Sequence, residues 1–280
     1  MSEASHLAGK SIVITGAAGG FGRLVAEKSA ALGARVVCAD IDAEALTQLV
    51  AQLEEQGLSA CAVPTDVTDL AQMQNLAQVA AERYGRIDVW INNAGVMPLA
   101  FYADHQQAMP AWDRCIDINI KGVLNGMVAA YDSMIAEGRG HVVNLSSIYG
   151  NYPVVGAAVY GATKAAVNFM SESLRVESQG KIKVTIIKPT GVPGTGLGVG
   201  IVNAEAIVGI LGQNAPRYLQ VLQGGVAGEL PEALTDANSI EYHALDPEYL
   251  ADQILYAIDQ PWGVSIAELT VRASGDGYIL

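Results

Sequence analysis

Basic residues are scarce in this chain of 280 residues: 16 Lys and Arg stand against 29 Asp and Glu, a net charge of −13 with histidine neutral. A field of that sign repels nucleic acid phosphates and anionic membrane surfaces. No Lys/Arg cluster reverses it locally, so neither kind of partner is expected. Cysteine is also sparse. Cys38, Cys61 and Cys115 are odd in number and lack CxxC spacing, which argues against a disulfide framework or a zinc cluster and fits a reducing compartment. The four histidines, His6, His105, His141 and His243, show neither HExxH nor carboxylate spacing, and no metal site is expected from them. No apolar run approaches the roughly 18 residues of a membrane span, and "MSEASHLAGK" lacks the basic flank and apolar core of a signal peptide. The expectation is a cytoplasmic protein with small-molecule partners.

What is present is a rhythm. Short β-branched runs at 11–15, 35–39, 59–63, 88–92, 141–145 and 183–187 alternate with longer helical patterns, and a last run at 268–272 follows a helical stretch at 247–259. Strand and helix in alternation imply a parallel sheet. Because the runs are apolar on both faces, helices must cover both sides, which gives an α/β, doubly wound sheet of about seven strands in a single domain. A long helix is expected to begin near Pro110, with proline in its first turn, and to end at "GRG" (138 to 140). Residues 190–246 break the rhythm, carry the glycine clusters "GTGLGVG" and "QGGVAGE", and read as an insertion over one face.

In "SIVITGAAGGFGRLVAEK" the first strand ends at Thr15, then Gly16, Gly20, Phe21 and Gly22 open an apolar-periodic helix. Glycines there let backbone N–H groups approach a pyrophosphate, and the helix N-terminus adds its positive dipole end. Asp40 closes the second strand, near the spacing at which an acid holds an adenosine ribose, so the stretch is a dinucleotide-site candidate. The Asp40 carboxylate would face a phosphate on the 2′-oxygen, and like charges about 4 Å apart cost on the order of 4 kcal/mol at an effective dielectric near 20. Neither Ile41 nor Ala17 and Ala18 supplies a compensating cation. NAD is therefore expected ahead of NADP.

"TGAAGGFG" (15 to 22), "NNAG" (92 to 95), Asn119 in "DINIKG", Ser147 in "NLSS" and "YGATK" (160 to 164) resemble, in order and spacing, the single-domain short-chain dehydrogenase/reductases, over about Lys10 to Arg272. The resemblance implies a catalytic set of Asn119, Ser147, Tyr160 and Lys164. It places Asp66 and Val67 at the adenine ring, Asn93, Ala94 and Gly95 beside the adenosine ribose, and Pro189 and Val192 near the nicotinamide. It also selects Ser147 over Ser146. The residues themselves suit these roles. Tyr160 and Lys164 lie one helical turn apart on one face, and each nearby positive charge lowers a phenol's pKa by about 1 to 3 units. Tyr160 would then exchange a proton with a substrate hydroxyl while hydride moves between the same carbon and the nicotinamide, with Ser147 orienting the oxygen. Asn119 is expected to hold a water linking the lysine to solvent.

The expected activity is that of an NAD-dependent alcohol dehydrogenase or ketone reductase; epimerisation or dehydration on the same cofactor, or non-catalytic dinucleotide sensing, are the alternatives. Ser147, Tyr149, Tyr152 and Tyr160 are the candidate substrate residues, with Val96, Met97, Ile148 and Val192 as further walls. No Arg or Lys is placed to hold a substrate carboxylate, which favours a neutral, moderately apolar alcohol. "PTGVPGTGLGVG" (189 to 200) lacks an acidic ribose partner and a following βαβ unit, so it reads as the hinge of a substrate lid rather than a second cofactor loop. Family members commonly pair through two long helices, so a homo-oligomer, dimer or tetramer, is implied. Small residues at Gly122, Gly126, Ala162, Ala165 and Ala166 would permit that contact or ordinary internal packing.

Overall fold

The computed structural model describes residues 5–228 and 230–280. Among them, seven strands form one wholly parallel sheet in the order β3-β2-β1-β4-β5-β6-β7. The strands are β1 (Ser11–Thr15), β2 (Arg35–Asp40), β3 (Ala60–Pro64), β4 (Val89–Asn92), β5 (Gly140–Leu145), β6 (Ile182–Pro189) and β7 (Glu268–Val271). All fall within two residues of the expected runs, and the doubly wound architecture is the one the alternation implied. The main helices are α1 (Gly20–Ala31), α2 (Ala43–Glu55), α3 (Leu70–Tyr84), α4 (His105–Ile116), α5 (Val123–Ala136) and α6 (Ala158–Glu177). After β6 come α7 (Val208–Leu211), α8 (Ala215–Ala227), α9 (Glu232–Thr235) and α10 (Pro247–Ile258).

Alternate residues of each strand feed opposite cores. Ile12, Ile14, Val36, Cys38, Val89, Ile91 and Val143 pack with the apolar stripes of α1, α2 and α10. Val13, Val37, Trp90, Val142 and Val184 pack with those of α3, α5 and α6. This is why β1 to β6 read as continuous apolar runs, whereas the edge strand β7 leaves Glu268 and Thr270 exposed. The order of strands reverses between β1 and β4, so the loops after these two strands diverge and leave a crevice at their C-terminal ends.

The long helix differs from expectation at its start and in its middle. α4 begins at His105 and includes Pro110 in its second turn. The carbonyl that loses a partner to that proline belongs to Gln106, which is exposed and free to bond water instead. Between α4 and α5 the backbone runs as a π-helical turn, Asp117–Gly122. Gly122 and Gly126 serve the interior rather than a partner. A Cβ on Gly126 would lie 1.9 Å from Asn92 Oδ1, and one on Gly122 would lie 2.7 Å from a Val67 methyl.

The stretch from Ile201 to Tyr218 packs against the end of the loop after β4 and the start of α6. Ala206, Ile210, Leu211 and Ala215 are buried in a third cluster with Leu99, Tyr149 and Tyr160. Val202 and Asn203 both donate to the Leu99 carbonyl, at 3.1 and 3.0 Å.

Candidate functional site

The loop after β1 is shaped by contact. Gly16 (φ 67°) and Gly20 (φ 51°) occupy the left-handed region, and a Cβ on Gly22 would sit 2.1 Å from the Gly16 carbonyl oxygen. Only hydrogen fits there, so α1 starts tight against the strand end. Asn93 fastens this loop to the end of β4, its Nδ2 donating to the Thr15 and Gly16 carbonyls at 2.9 and 3.0 Å. Ala94 N donates to Thr15 Oγ1 at 3.3 Å. Asp40 holds the other side, accepting from Ala18 N and Asp42 N, each at 3.0 Å. Ile41 beside it is exposed and Phe21 is half-buried against the first core.

The next loop is built similarly. Asp66 accepts from Thr68 N and Thr68 Oγ1 at 2.9 and 2.8 Å, so its carboxylate shapes the turn into α3, while Val67 is buried against Gly122. Pro189 ends β6 opposite Val271, and Val192 packs against the first core. The chain then crosses the crevice, and the Thr195 carbonyl oxygen lies 2.8 Å from where a Cβ on Gly20 would be. Thr190, at the position where the resembled family carries glycine, has a buried hydroxyl without a protein partner. A Cβ-free cradle at a helix N-terminus, an acid at the second strand end and an orphaned hydroxyl after the sixth strand fit a nicotinamide dinucleotide.

Four polar side chains converge beneath these loops. Tyr160, Lys164, Ser147 and Asn119 are 3 %, 6 %, 6 % and 0 % exposed. Tyr160 and Lys164 share the buried face of α6, with the Lys164 ammonium 5.8 Å from the Tyr160 ring centroid and donating to the Leu145 carbonyl at 2.8 Å. The two serines after β5 part company. Ser146 Oγ donates to the Lys164 carbonyl at 3.1 Å and is spent anchoring α6, whereas Ser147 Oγ accepts from Tyr149 N at 3.2 Å and interacts with the Tyr160 phenol. The π turn carries Asn119 inward, where its Oδ1 accepts from Val96 N at 3.0 Å. Its Nδ2 donates to the Val96 carbonyl and Thr163 Oγ1 at 2.9 and 3.1 Å. A π turn inserted in an α-helix is a common way to redirect one functional side chain.

Burial dominates the acid–base chemistry. It pushes the Tyr160 phenol well above its ordinary value, against a downward pull from the Ser147 hydroxyl, and depresses Lys164 to about 8. One-turn spacing predicts a lysine that acidifies the tyrosine. Here the ammonium lies over the ring and bonds to a carbonyl, and desolvation of both groups is the larger effect.

Of the substrate candidates, Tyr149 joins the site, its ring 5.4 Å from Tyr160 in an edge-to-face pair, and Val96, Met97 and Ile148 line the same cluster. Tyr152 does not. It is 66 % exposed, because the turn between Asn151 and Gly156 sends Val154 inward and leaves Tyr152 facing solvent. Reading by motif missed Thr163, inside "YGATK", and Cys115, both bonded to Asn119. It also missed Tyr278, whose ring joins the third cluster from the end of the chain. Four-residue spacing to Lys164 and to Asn119 marks Tyr160 and Cys115 as neighbours on their helices; nothing local to the sequence marks Tyr278.

A crevice at the switch point of a parallel sheet, with a phenol and an ammonium one turn apart below a glycine loop, places the molecule among the oxidoreductases built on a doubly wound sheet. The short chain dehydrogenase model matches residues 10–205, and the chain belongs to that family. It is 34% identical to an uncharacterized oxidoreductase of Listeria monocytogenes, Lmo0432, over 94% of this chain and 95% of that one. It is 32% identical over 95% of its length to the glycine betaine reductase ATRR of Emericella nidulans, of whose length it spans only 19%. Among solved structures, a metagenomic short-chain oxidoreductase in complex with NADP superposes with a TM-score of 0.71 at 26% identity, covering 95% of this chain and 97% of that one. No helix among the described residues is long and apolar enough to cross a membrane, and no group of three or more His, Cys, Asp or Glu among them could hold a metal ion.

Proposed function

We propose that the protein is an NAD-dependent oxidoreductase interconverting a secondary alcohol and a ketone, with Tyr160 as general acid and base. The observation that carries this reading is the burial of Ser147, Tyr160, Lys164 and Asn119 together at the mouth of the β1/β4 crevice. A bound nicotinamide supplies the acceptor or donor of hydride. The chain supplies the rest. Ser147 Oγ holds the substrate oxygen, and Tyr160 Oη exchanges a proton with it. Lys164 places positive charge against the phenol from the Leu145 side. Asn119, braced between Val96 and Thr163, keeps α4, α5 and α6 in register under the site.

A phenol held protonated by burial is ready to donate to a forming alkoxide, so ketone reduction proceeds at neutral pH. Alcohol oxidation needs the phenolate and gains with rising pH. NAD is the preferred cofactor because Asp40, at the end of β2 beside the glycine loop, sets a carboxylate where a 2′-phosphate would approach. The NADP carried by the metagenomic neighbour favours the other cofactor, so both belong in the assay. Residues 190–246 act as a lid over the site, hinged after Pro189. The exposed apolar residues Leu124 and Val128 on α5, with Phe169 and Val176 on α6, support a homo-oligomer, and three unpaired buried thiols support a cytoplasmic setting.

The test is a panel of secondary alcohols with NAD and with NADP at alkaline pH, followed by absorbance of the reduced nicotinamide. Stoichiometric NADH supports dehydrogenation; isomerised product without net NADH supports epimerisation instead.

A further inference from the structure

The last residues of the chain pack against the cluster that holds Tyr149 and Tyr160. Beyond β7, Arg272 clamps the tail: it donates to the Leu280 and Tyr278 carbonyls, each at 3.0 Å, and pairs with the Asp276 carboxylate. Asn214 Nδ2 donates to the Gly277 carbonyl at 2.9 Å, and Ile279 N to the Ile210 carbonyl at 3.1 Å, which lashes the tail to the segment between β6 and α8. So fixed, the Tyr278 side chain reaches the turn after β6. A Cβ on Gly191 would lie 1.9 Å from Tyr278 Oη, so glycine there is what lets the phenol seat. The same ring packs in the cluster of Tyr149 and Tyr160, and stands 6.1 Å from Tyr218.

We propose that Tyr278 is a specificity-determining residue, whose hydroxyl recognises a second, uncharged oxygen on the substrate, making the substrate class vicinal diols and hydroxy ketones rather than simple alcohols. The inference rests on the oxidoreductase reading above. Three observations carry it. Tyr278 Oη touches Gly191, two residues after Pro189 and one before Val192, the stretch expected at the nicotinamide, and its ring packs in the cluster that holds Tyr149 and Tyr160. Burial and the neighbouring Tyr218 phenol raise the Tyr278 pKa, and burial raises that of Tyr149, so both phenols stay neutral. Arg272, six residues before Tyr278, spends its guanidinium on Asp276 and two carbonyls, leaving no charge there for a substrate carboxylate. Arg272 is in this account a positioning residue.

The experiment compares butane-2,3-diol with butan-2-ol, and longer matched pairs, as substrates with NAD and NADP, for the wild type, Tyr278→Phe, Gly191→Ala and the double variant. The readout is the ratio of kcat/KM for diol over monoalcohol. The wild type is expected to prefer the diol, and Tyr278→Phe to compress that ratio about tenfold, the effect of losing one hydrogen bond to a neutral group. Gly191→Ala, which displaces the phenol oxygen, compresses the ratio alike, and adds little once the oxygen is gone. A wild type with no preference in any pair, or a Tyr278→Phe ratio equal to the wild type's, overturns the inference while leaving the oxidoreductase reading intact. Absence of turnover with every alcohol and both cofactors, in protein that binds NADH, overturns that reading itself and this inference with it.

Discussion

Two glycine-rich loops follow two strands of the same sheet, yet their glycines do different things. In the loop after β1, Gly16, Gly20 and Gly22 are each pressed by backbone or side chain, so that a methyl at any of them meets an atom within 3 Å. In the loop after β6, Gly194, Gly196 and Gly198 have no neighbour within 4 Å of a would-be Cβ. The first loop is a mould whose shape is fixed by Asn93 and Asp40. The second is a strap, seated at Gly191, Val192 and Thr195, with its glycines from 194 to 198 in open space. Glycine density alone therefore does not mark a phosphate cradle; close approach of backbone does.

Substitutions in the two loops separate mould from strap. The largest effect is expected from Gly22→Ala, because its methyl collides with the Gly16 carbonyl and Asn93: stability falls by about 3 kcal/mol or more in urea unfolding, and NADH binding measured by fluorescence is lost. Next is Lys164, on the floor beneath both loops. Its pKa of about 8 when folded lies below the 10.5 of the unfolded chain, so the unfolded chain binds more protons between those pH values and stability rises with pH across that window. Relative to Lys164→Met, the wild type should gain about 3 kcal/mol from pH 8 to 10.5, as followed by thermal unfolding. Asp40→Ala is expected to shift the NAD to NADP ratio of kcat/KM by about 30-fold toward NADP, on the order of 2 kcal/mol. In the strap, Gly194→Ala costs about 1 kcal/mol through its φ of 78° alone. Gly198→Ala changes stability by less than about 0.5 kcal/mol. A strap substitution as costly as Gly22→Ala would dissolve the distinction.

Much of this was legible in the sequence. Local chemistry marks the strands, the glycine loop and Asp40, because each depends on residues close in the chain, whereas the Tyr160–Lys164 pair comes from the family resemblance, with its one-turn spacing in support. The choice of Ser147 came from family spacing, and the bond between Ser146 and the α6 backbone gives it a physical basis. What stayed hidden depends on distant partners. The π turn carries Asn119 into bonds with Val96 and Thr163, distant in the chain, and the start of α4 at His105 relies on a proline tolerated on an exposed face. Tyr152 and Tyr149 lie three apart in one loop and read alike, but only tertiary packing turns one in and the other out. The tail bearing Tyr278 carries no motif; its role comes from Arg272 and from a glycine far back along the chain.

The central claim is that Tyr160 moves the proton while the glycine loop holds the dinucleotide. Tyr160→Phe separates the two, since it keeps the ring packing against Tyr149 and removes only the oxygen. The measurement is NADH binding and NADH formation on the best alcohol of the panel, for wild type and variant side by side. The account predicts unchanged NADH affinity with turnover down by at least about 100-fold; turnover at the wild-type level would contradict it.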